Sequence, residues 1–236
     1  MKHWRVSFAL WLTVVLPAGA AGAERTPVLV ELFTSDVSAS SQPAELLLAK
    51  LDATVVVLNE HVNSMDSRLL RDPFASEVTT KRHEAYGDRY RLDRVLVPQI
   101  VVNGGAQFLG SDAKHAHDDI AKAAKRVKVV PRLLWVDRGV QVEIDGAHVG
   151  DRVYLALADD SVSTVMTGGE NRGKTMVHVA VCRDIRTAGV VPLGGAFYEL
   201  VELPPPARKQ RVIVWTQVGE VGAVAGATML PPADSQ

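Results

Sequence analysis

Residues 27–58 read PVLVELFTSDVSASSQPAELLLAKLDATVVVL, and this stretch sets the architecture of the first half of the chain. Pro27–Phe33 and Thr54–Leu58 are short apolar runs rich in β-forming residues, which is typical of buried strands. Between them, Pro43–Leu51 carries leucines at helical spacing and has its proline in the first turn. A strand, a helix and a strand in this order predict a βαβ unit with two parallel strands.

The pattern continues to about residue 127. We expect a helix over residues 76–90, a strand at Val95–Val102 interrupted by Pro98, a short strand at Ala106–Leu109 and a helix at Ala113–Val127. The resulting order is β-α-β-α-β-β-α, which is the order of a thioredoxin-like domain. In that order a proline opens the third strand beside the N-terminus of the first helix. The sequence therefore predicts an α/β thioredoxin-like domain over residues 24–128.

The pattern changes after Pro131, where short β-type runs alternate with glycine, aspartate and proline. These runs are Val140–Ile144, Val153–Ala158, Thr175–Val181, Tyr198–Leu203, Val212–Thr216 and Ala223–Met229. Short strands at regular spacing without helices favour an antiparallel sandwich. We therefore expect a mainly-β, sandwich-like domain over residues 129–236.

The first 23 residues have the three parts of a secretory signal peptide. Lys2 and Arg5 form a basic start, Phe8–Leu16 is an apolar run, and small residues lead to Ala23. The apolar run is about half the length needed to span a bilayer, which favours cleavage between Ala23 and Glu24 over an uncleaved anchor. We expect an exported, most plausibly periplasmic, protein with no transmembrane span in its mature chain.

Composition excludes several classes of function. The chain has 236 residues, of which 47% are hydrophobic and 22% charged, and its mean hydropathy is +0.07. This composition is that of a globular protein and not of a disordered chain or a polytopic membrane protein. The formal net charge of −1 offers no basic surplus for nucleic acid. Cys182 is the single cysteine, so an intramolecular disulfide is excluded, and we expect it to be a buried strand residue.

Several motifs together resemble a known family. They are ELFTSDVSASSQPAELLLAKL (residues 31–51), EHVNSMD (60–66), DPFAS (72–76), VPQIVVNG (97–104) and GENRGKTMVH (169–178). In these motifs the chain is similar to the exported thioredoxin-like proteins of the domain-of-unknown-function 1223 family. The usual form of the first motif there is E-L-F-T-S-x-G-C-x-x-C-P-P-A-D. The resemblance implies a fold more than an activity.

The chain departs from that pattern at its redox centre. The two cysteine positions of C-x-x-C fall on Ser38 and Ser41, and the following position is Gln42. Thiol–disulfide exchange needs a thiolate and a second sulfur, and a serine hydroxyl supplies neither. We therefore expect no dithiol oxidoreductase activity and no catalytic residue at these positions.

The resemblance also implies a binding groove, in which Val97 and Pro98 lie beside Ser38, Ser41 and Gln42. In thioredoxin-like folds this proline is cis, and the preceding backbone can pair with an extended peptide. The expected partner is thus a peptide or another envelope protein. Two structural roles also stay open, namely a proline that only shapes the turn and serines that only cap the helix. A further alternative is an anion held by the free N–H groups and hydroxyls at the start of the helix.

A second, weaker set of candidates consists of histidines and the Gly168–His178 loop. His61, Asp66, Asn171, Arg172 and His178 are the residues that we consider for a small ligand. The loop matches phosphate-loop spacing, but a predicted strand follows it where a phosphate loop needs a helix.

The candidate metal ligands in the sequence are His61, Asp66, His115 and His117. His115 and His117 are two residues apart on a predicted helix, so they face different directions. We expect no metal site and no cofactor.

The sequence thus favours a non-catalytic, exported binding module. Two alternatives stay open. The first is an enzyme or binder that acts on a small ligand through His61 and Asp66 or through the Gly168–His178 loop. The second is a structural or assembly protein whose second half carries the function.

Overall fold

The computed structural model describes residues 25–204 and 209–233. The predicted signal peptide, Met1–Ala23, and its cleavage point lie outside the described residues. Within the described ranges, no helix is long and apolar enough to cross a membrane.

The first half has the predicted element order. Its elements are β1 (Thr26–Thr34), α1 (Ser41–Leu51), β2 (Val55–His61), a short 3-10 helix (Asn63–Met65), α2 (Glu77–Tyr90), β3 (Gln99–Val102), β4 (Ala106–Leu109) and α3 (Ala113–Ala124). The third strand begins only at Gln99, whereas we predicted Val95, because Pro98 has no N–H group to donate to a strand ladder.

The second half is built of strands. They are β5 (Arg132–Val136), β6 (Gly139–Ile144), β7 (Arg152–Val165), β8 (Thr175–Val190), β9 (Phe197–Glu202), β10 (Gln210–Gln217) and β11 (Val224–Leu230). β5 is absent from the sequence prediction. β7 and β8 are much longer than predicted, because the more polar extension of each strand pairs with the apolar part of the other strand.

One large sheet passes through both halves of the molecule. Its eight strands have the order β11-β10-β7-β8-β2-β1-β3-β4, and β5-β6-β9 form a separate three-stranded sheet. β1 is parallel to β2 and antiparallel to β3. The two halves join where β2 runs parallel to β8, with Asn59 opposite Val181. The architecture is therefore mixed α/β and rich in strands, with one large sheet of eight strands and a second sheet of three.

Two apolar clusters hold the layers together. On α1, Ala44, Leu48 and Leu51 are buried against the large sheet, while Leu46 is 60% exposed on the opposite side of the helix. This helical spacing of buried residues explains why the segment forms an amphipathic helix. A second cluster packs the β5-β6-β9 sheet against β7, β10 and β11.

A buried histidine on α2 makes stability depend on pH. The His83 ring stacks on Phe33 with ring centroids 4.6 Å apart, and Nε2 lies 2.9 Å from the side-chain oxygen of Gln99. Burial lowers the pKa of His83 to about 4, although hydrogen bonds to Gln99 and to the backbone of Leu96 favour the protonated ring. The unfolded chain therefore binds the proton more tightly than the folded chain does.

We predict that the wild type loses roughly 3 kcal/mol more stability than His83→Gln when the pH falls from about 6.5 to about 4. The depressed pKa means that stability is complete above the unfolded pKa and declines below it. Urea unfolding at a series of pH values measures this difference. Parallel pH profiles for the two proteins would contradict the prediction.

Candidate functional site

The serines of the degenerate motif lie at the start of α1. Ser41 is the first residue of the helix and is buried, and its Oγ accepts a hydrogen bond from the Ser35 N–H at 3.3 Å. Ser38 is half-buried, with its Oγ 2.7 Å from that of Ser40. Both hydroxyls are therefore engaged with the loop between β1 and α1.

Pro98 lies against the first turns of α1. The Val97–Pro98 peptide bond is cis. A Cβ atom placed on Gly110 would lie 2.9 Å from Pro98 Cβ and 3.0 Å from Ala44 Cβ, so Pro98 and Ala44 both flank Gly110. Leu96 and Leu109, which adjoin Pro98 and Gly110 in the chain, are 41% and 48% exposed. The predicted groove region thus presents apolar side chains to solvent, and Gln42 is partly buried at its helix end.

The single thiol of the chain is poorly suited to thiol–disulfide exchange. Cys182 is buried in β8, as we predicted, and its Sγ lies 3.8 Å from the carbonyl oxygen of Asp184. Burial raises the pKa of the Cys182 thiol well above its usual value, with further contributions from the Glu60 and Asp184 carboxylates. A buried, protonated thiol is a poor nucleophile.

A second group of polar side chains lies inside the molecule. This histidine–carboxylate cluster consists of Asp36, Glu45, His61, Asp72 and His178. They come from the loop after β1, from α1, from the end of β2, from the loop before α2 and from β8. None of the five residues is more than 5% exposed. Such complete burial of charged groups is rare unless they are paired or hold a metal.

His61 is oriented by a carboxylate. Its Nδ1 donates a hydrogen bond to Asp72 Oδ2 at 2.7 Å. Asp72 also accepts the backbone N–H groups of Asp36 and Phe74 at 2.7 and 2.8 Å. Burial alone would raise the pKa of Asp72, but these hydrogen bonds and the His61 ring hold it below its usual value. Asp72 is therefore an ionised, firmly positioned acceptor.

His178 lies between the two other carboxylates. Its Nδ1 is 3.0 Å from Glu45 Oε2, and its Nε2 is 3.2 Å from Asp36 Oδ1. Burial would lower the pKa of His178, but Asp36 and Glu45 outweigh that effect and raise it to about 9. The His178 ring is nearly perpendicular to that of His61, with centroids 4.9 Å apart. Without another cation, the imidazole itself carries the positive charge at neutral pH.

The loop between β7 and β8 closes this region. The side-chain amide of Asn171 donates hydrogen bonds to the backbone oxygens of Asp36 and Ser38, both at 3.1 Å. Arg172 is exposed on the same loop. The loop therefore joins the second half of the chain to the segment that carries both Asp36 and the serine positions.

The structure brings together part of the second set of sequence candidates. His61 and His178 are members of the cluster, and Asn171 contacts it through the backbone of Asp36. Asp66 lies outside it, where its Oδ1 accepts the backbone N–H of Asp72 at 2.9 Å. Arg172 is exposed and is not a member of the cluster.

Three members of the cluster, Asp36, Glu45 and Asp72, were not among the predicted site residues. Glu45 looks in the sequence like a residue that complements the helix dipole, whereas its side chain is buried. Asp36 and Asp72 stand in the ELFTSD and DPFAS motifs, which was the available signal. By contrast, His115 and His117 are exposed on α3.

One subset of the cluster has the arrangement of metal ligands. One ligand atom each from Asp36, His61 and His178 lies within 4.8 Å of the other two, and all three residues are buried. Of the four metal-ligand candidates in the sequence, His61, Asp66, His115 and His117, only His61 belongs to this group, and the absence of a metal site predicted above applies to those four residues.

Comparisons with known proteins identify a family and one related structure. A family model described as Protein of unknown function (DUF1223) matches residues 29–217. The crystal structure of protein AGR_C_4864 from Agrobacterium tumefaciens is similar to this chain, with a TM-score of 0.77 and 24% sequence identity. The match covers 90% of this chain and 97% of that one, and at this identity it shows a shared fold alone. No curated protein matches the chain.

Proposed function

Since this chain belongs to the family described as Protein of unknown function (DUF1223), whose name assigns no activity, we propose its function from the geometry. It is an exported, redox-inactive protein of thioredoxin-like architecture that binds an extended segment of another envelope protein. Residues 1–23 act as its signal peptide, residues 24–128 form the thioredoxin-like part, and residues 129–236 form the sandwich-like part.

The arrangement of the first four strands supports the architectural part of the proposal. They have the order β2-β1-β3-β4, with β1 and β2 parallel and β3 antiparallel to β1. A parallel βαβ unit joined to an antiparallel ββα unit is the arrangement that the sequence pattern predicts. The continuous pairing from β2 to β8 means that the two parts share one sheet.

The residue types at the motif positions support the absence of redox activity. Ser38 and Ser41 replace both sulfurs, and Cys182 is buried with a raised pKa. No second cysteine exists in the chain with which Cys182 could form a disulfide. In this proposal the groove between Ser38–Ser41 and Val97–Pro98 therefore acts by binding and not by thiol exchange.

One observation carries the binding proposal, namely the position of Pro98 against α1 with exposed apolar side chains beside it. Leu96 and Leu109 are each more than 40% exposed, and burying them under a partner would remove apolar surface from water. An extended segment could also add backbone hydrogen bonds along the chain before Pro98. This surface lies at the helix end that carries Ser38 and Ser41.

We predict that Val97→Asp weakens peptide binding by about tenfold or more, because it places a charge where an apolar segment would dock. An array of extended apolar peptides selects the tightest ligand, and fluorescence anisotropy measures its affinity for wild type and variant. Val149→Asp controls for the added charge, since Val149 is 43% exposed in another turn. Circular dichroism checks that Val97→Asp is folded, because Val97 packs partly buried against the apolar cluster that contains Phe33 and Tyr86. Equal affinities for wild type and Val97→Asp would contradict the groove assignment.

A second candidate function is the binding of a very small ligand at the histidine–carboxylate cluster. The convergence of His61 and His178 with three carboxylates favours it. Because these side chains are buried, the cluster has no room at the surface for an organic substrate, and a ligand there has to be of ionic size.

A further inference from the structure

We propose that Asp36, His61 and His178 bind one transition-metal ion of the zinc class. The assignment does not depend on the peptide-binding function proposed above. One ligand atom from each residue lies within 4.8 Å of the other two. Two ligand atoms that are each about 2.0–2.2 Å from one tetrahedral zinc ion are about 3.3–3.6 Å apart. The most distant pair therefore needs to approach by at most about 1.5 Å to surround an ion, which rotations of the side chains can supply.

The atoms that would face the ion make no hydrogen bond in the described part of the chain, although they form ion pairs with one another and with Glu45. Both carboxylate oxygens of Asp36 and the Nε2 atoms of His61 and His178 are buried without a hydrogen-bond partner there. His178 Nε2 and Asp36 Oδ1 are 3.2 Å apart, but their directions do not make a hydrogen bond. Buried polar atoms are nearly always satisfied, so a group of orphaned atoms that converge on one point indicates a missing partner.

Each histidine has a carboxylate beside its other nitrogen. His61 Nδ1 donates to Asp72 at 2.7 Å, whereas His178 Nδ1 forms an ion pair with Glu45 at 3.0 Å without a hydrogen bond. Glu45 is itself held by the side-chain amide of Asn59 at 2.7 Å. A carboxylate on Nδ1 fixes the imidazole ring and leaves the Nε2 lone pair for a metal, which is the usual support of metal-bound histidine. The cluster thus supplies ligands and the residues that orient them.

Charge and donor type identify the class of ion. Asp36, Glu45 and Asp72 bring three carboxylates into the interior, and their ion-pair partners among the described residues are His61 and His178. A divalent cation would offset much of that charge. Two imidazole nitrogens and a carboxylate suit Zn²⁺, Co²⁺ or Ni²⁺, whereas Mg²⁺ and Ca²⁺ prefer sets made of oxygen.

The position of the ligands gives the ion a structural role. Asp36 and His61 belong to the first half of the chain and His178 to the second, so the ion would join the halves beside the β2–β8 pairing. Glu45 Oε1, which also lacks a hydrogen-bond partner, lies 3.7 Å from His61 Nε2 and is the nearest further oxygen. A metal enclosed by protein ligands stabilises a fold and leaves no position for a substrate.

The test is metal binding by the full chain, stripped with a chelator and titrated with Zn²⁺, Co²⁺ or Mg²⁺. We expect one zinc per chain by elemental analysis and a visible Co²⁺ spectrum that Zn²⁺ abolishes. A hundredfold excess of Zn²⁺ over its Kd should raise the Tm by roughly 5–10 °C, and Mg²⁺ should have no effect. Asp36→Asn and His178→Gln should each weaken zinc binding by roughly a hundredfold.

Variants outside the histidine–carboxylate cluster and a check of folding serve as controls. His115→Ala and His117→Ala remove exposed histidines on α3 and should leave zinc affinity unchanged, and so should Val97→Asp in the groove. Circular dichroism shows whether each ligand variant is folded before its affinity is measured. A stripped chain that takes up neither zinc nor cobalt would overturn the proposal. So would folded ligand variants that bind as tightly as the wild type, or binding lost only in the His115 and His117 variants.

Discussion

Replacing Arg82 with methionine is expected to lower the free energy of unfolding by about 3–5 kcal/mol. Arg82 is almost fully buried on α2. Its Nε donates to Glu31 at 2.7 Å and its Nη2 donates to Gln217 at 2.9 Å. The guanidinium also lies 5.2–5.5 Å from the ring centroids of Tyr86, Tyr154 and Trp215. The variant would leave the Glu31 carboxylate buried without its cation.

Glu60 is a second buried carboxyl group beside Arg82. Glu60 lies 3.8 Å from Arg82 Nε and is fully buried. Burial, and then the nearby Glu31 carboxylate, raise the pKa of Glu60 well above its usual value, although Arg82 opposes this effect. Arg82 is therefore the cation that faces two buried carboxyl groups, Glu31 and Glu60. Removing Arg82 removes the whole positive charge of this network.

Urea unfolding followed by tryptophan fluorescence measures the effect of Arg82→Met. The double variant Arg82→Met/Glu31→Gln is the matched control, because it removes the stranded charge and should recover part of the lost stability. Arg82→Lys keeps the charge and loses the forked hydrogen bonds, so it should fall between the wild type and Arg82→Met. A loss below about 1 kcal/mol in Arg82→Met would show that the network contributes little.

A chain with cysteines at positions 38 and 41 is expected to form an intramolecular disulfide between them, which the single cysteine of the wild type excludes. The Ser41 N–H donates to the Ser38 carbonyl at 3.2 Å, so the two positions span one turn at the start of α1. The positive end of the helix dipole lowers the pKa of a thiol placed there. The wild type offers only buried Cys182.

Thiol titration of the folded Ser38→Cys/Ser41→Cys chain, before and after oxidation, measures this gain. We expect the thiol at half-buried position 38 to react in the reduced chain and not in the oxidised chain. The thiol at position 41, where Ser41 is fully buried, and the wild type are expected to be unreactive throughout. Ser38→Cys alone should keep its thiol under the same oxidation, because it lacks the second sulfur. New thiols that stay free after oxidation would contradict the thioredoxin-like geometry that we propose for the first half.

Local pattern accounts for the parts of the fold that could be predicted. The elements from β1 to α3 follow from apolar runs, helical spacing and turn residues that each extend over 4 to 14 residues, and their order in the structure is the predicted one. β5 (Arg132–Val136), at the edge of the small sheet, was not predicted. β7 and β8 were predicted too short because the extension of each strand carries polar residues and pairs with the apolar part of the other strand.

The candidate site follows the same division. His61, Asn171 and His178 stand out in the sequence as polar residues beside apolar strands, and they do lie in or next to the cluster. Asp36, Glu45 and Asp72 each have an ordinary local explanation as a loop residue or a helix-dipole partner. Nothing in their spacing indicates that they meet. Asp66 and Arg172 are also polar residues next to predicted strands, like the residues of the cluster, but they lie outside it.

By itself, the sequence determined the element order of the first half, the strand-rich character of the second half and the loss of both motif cysteines. These are properties of residue type and short-range periodicity. Only the tertiary structure decided that β2 and β8 join the halves in one sheet, and that Asp36, His61 and His178 therefore converge across more than 140 residues of chain. The reason is that long-range strand pairing depends on the packing of whole layers, and no local pattern records which edge strands will meet.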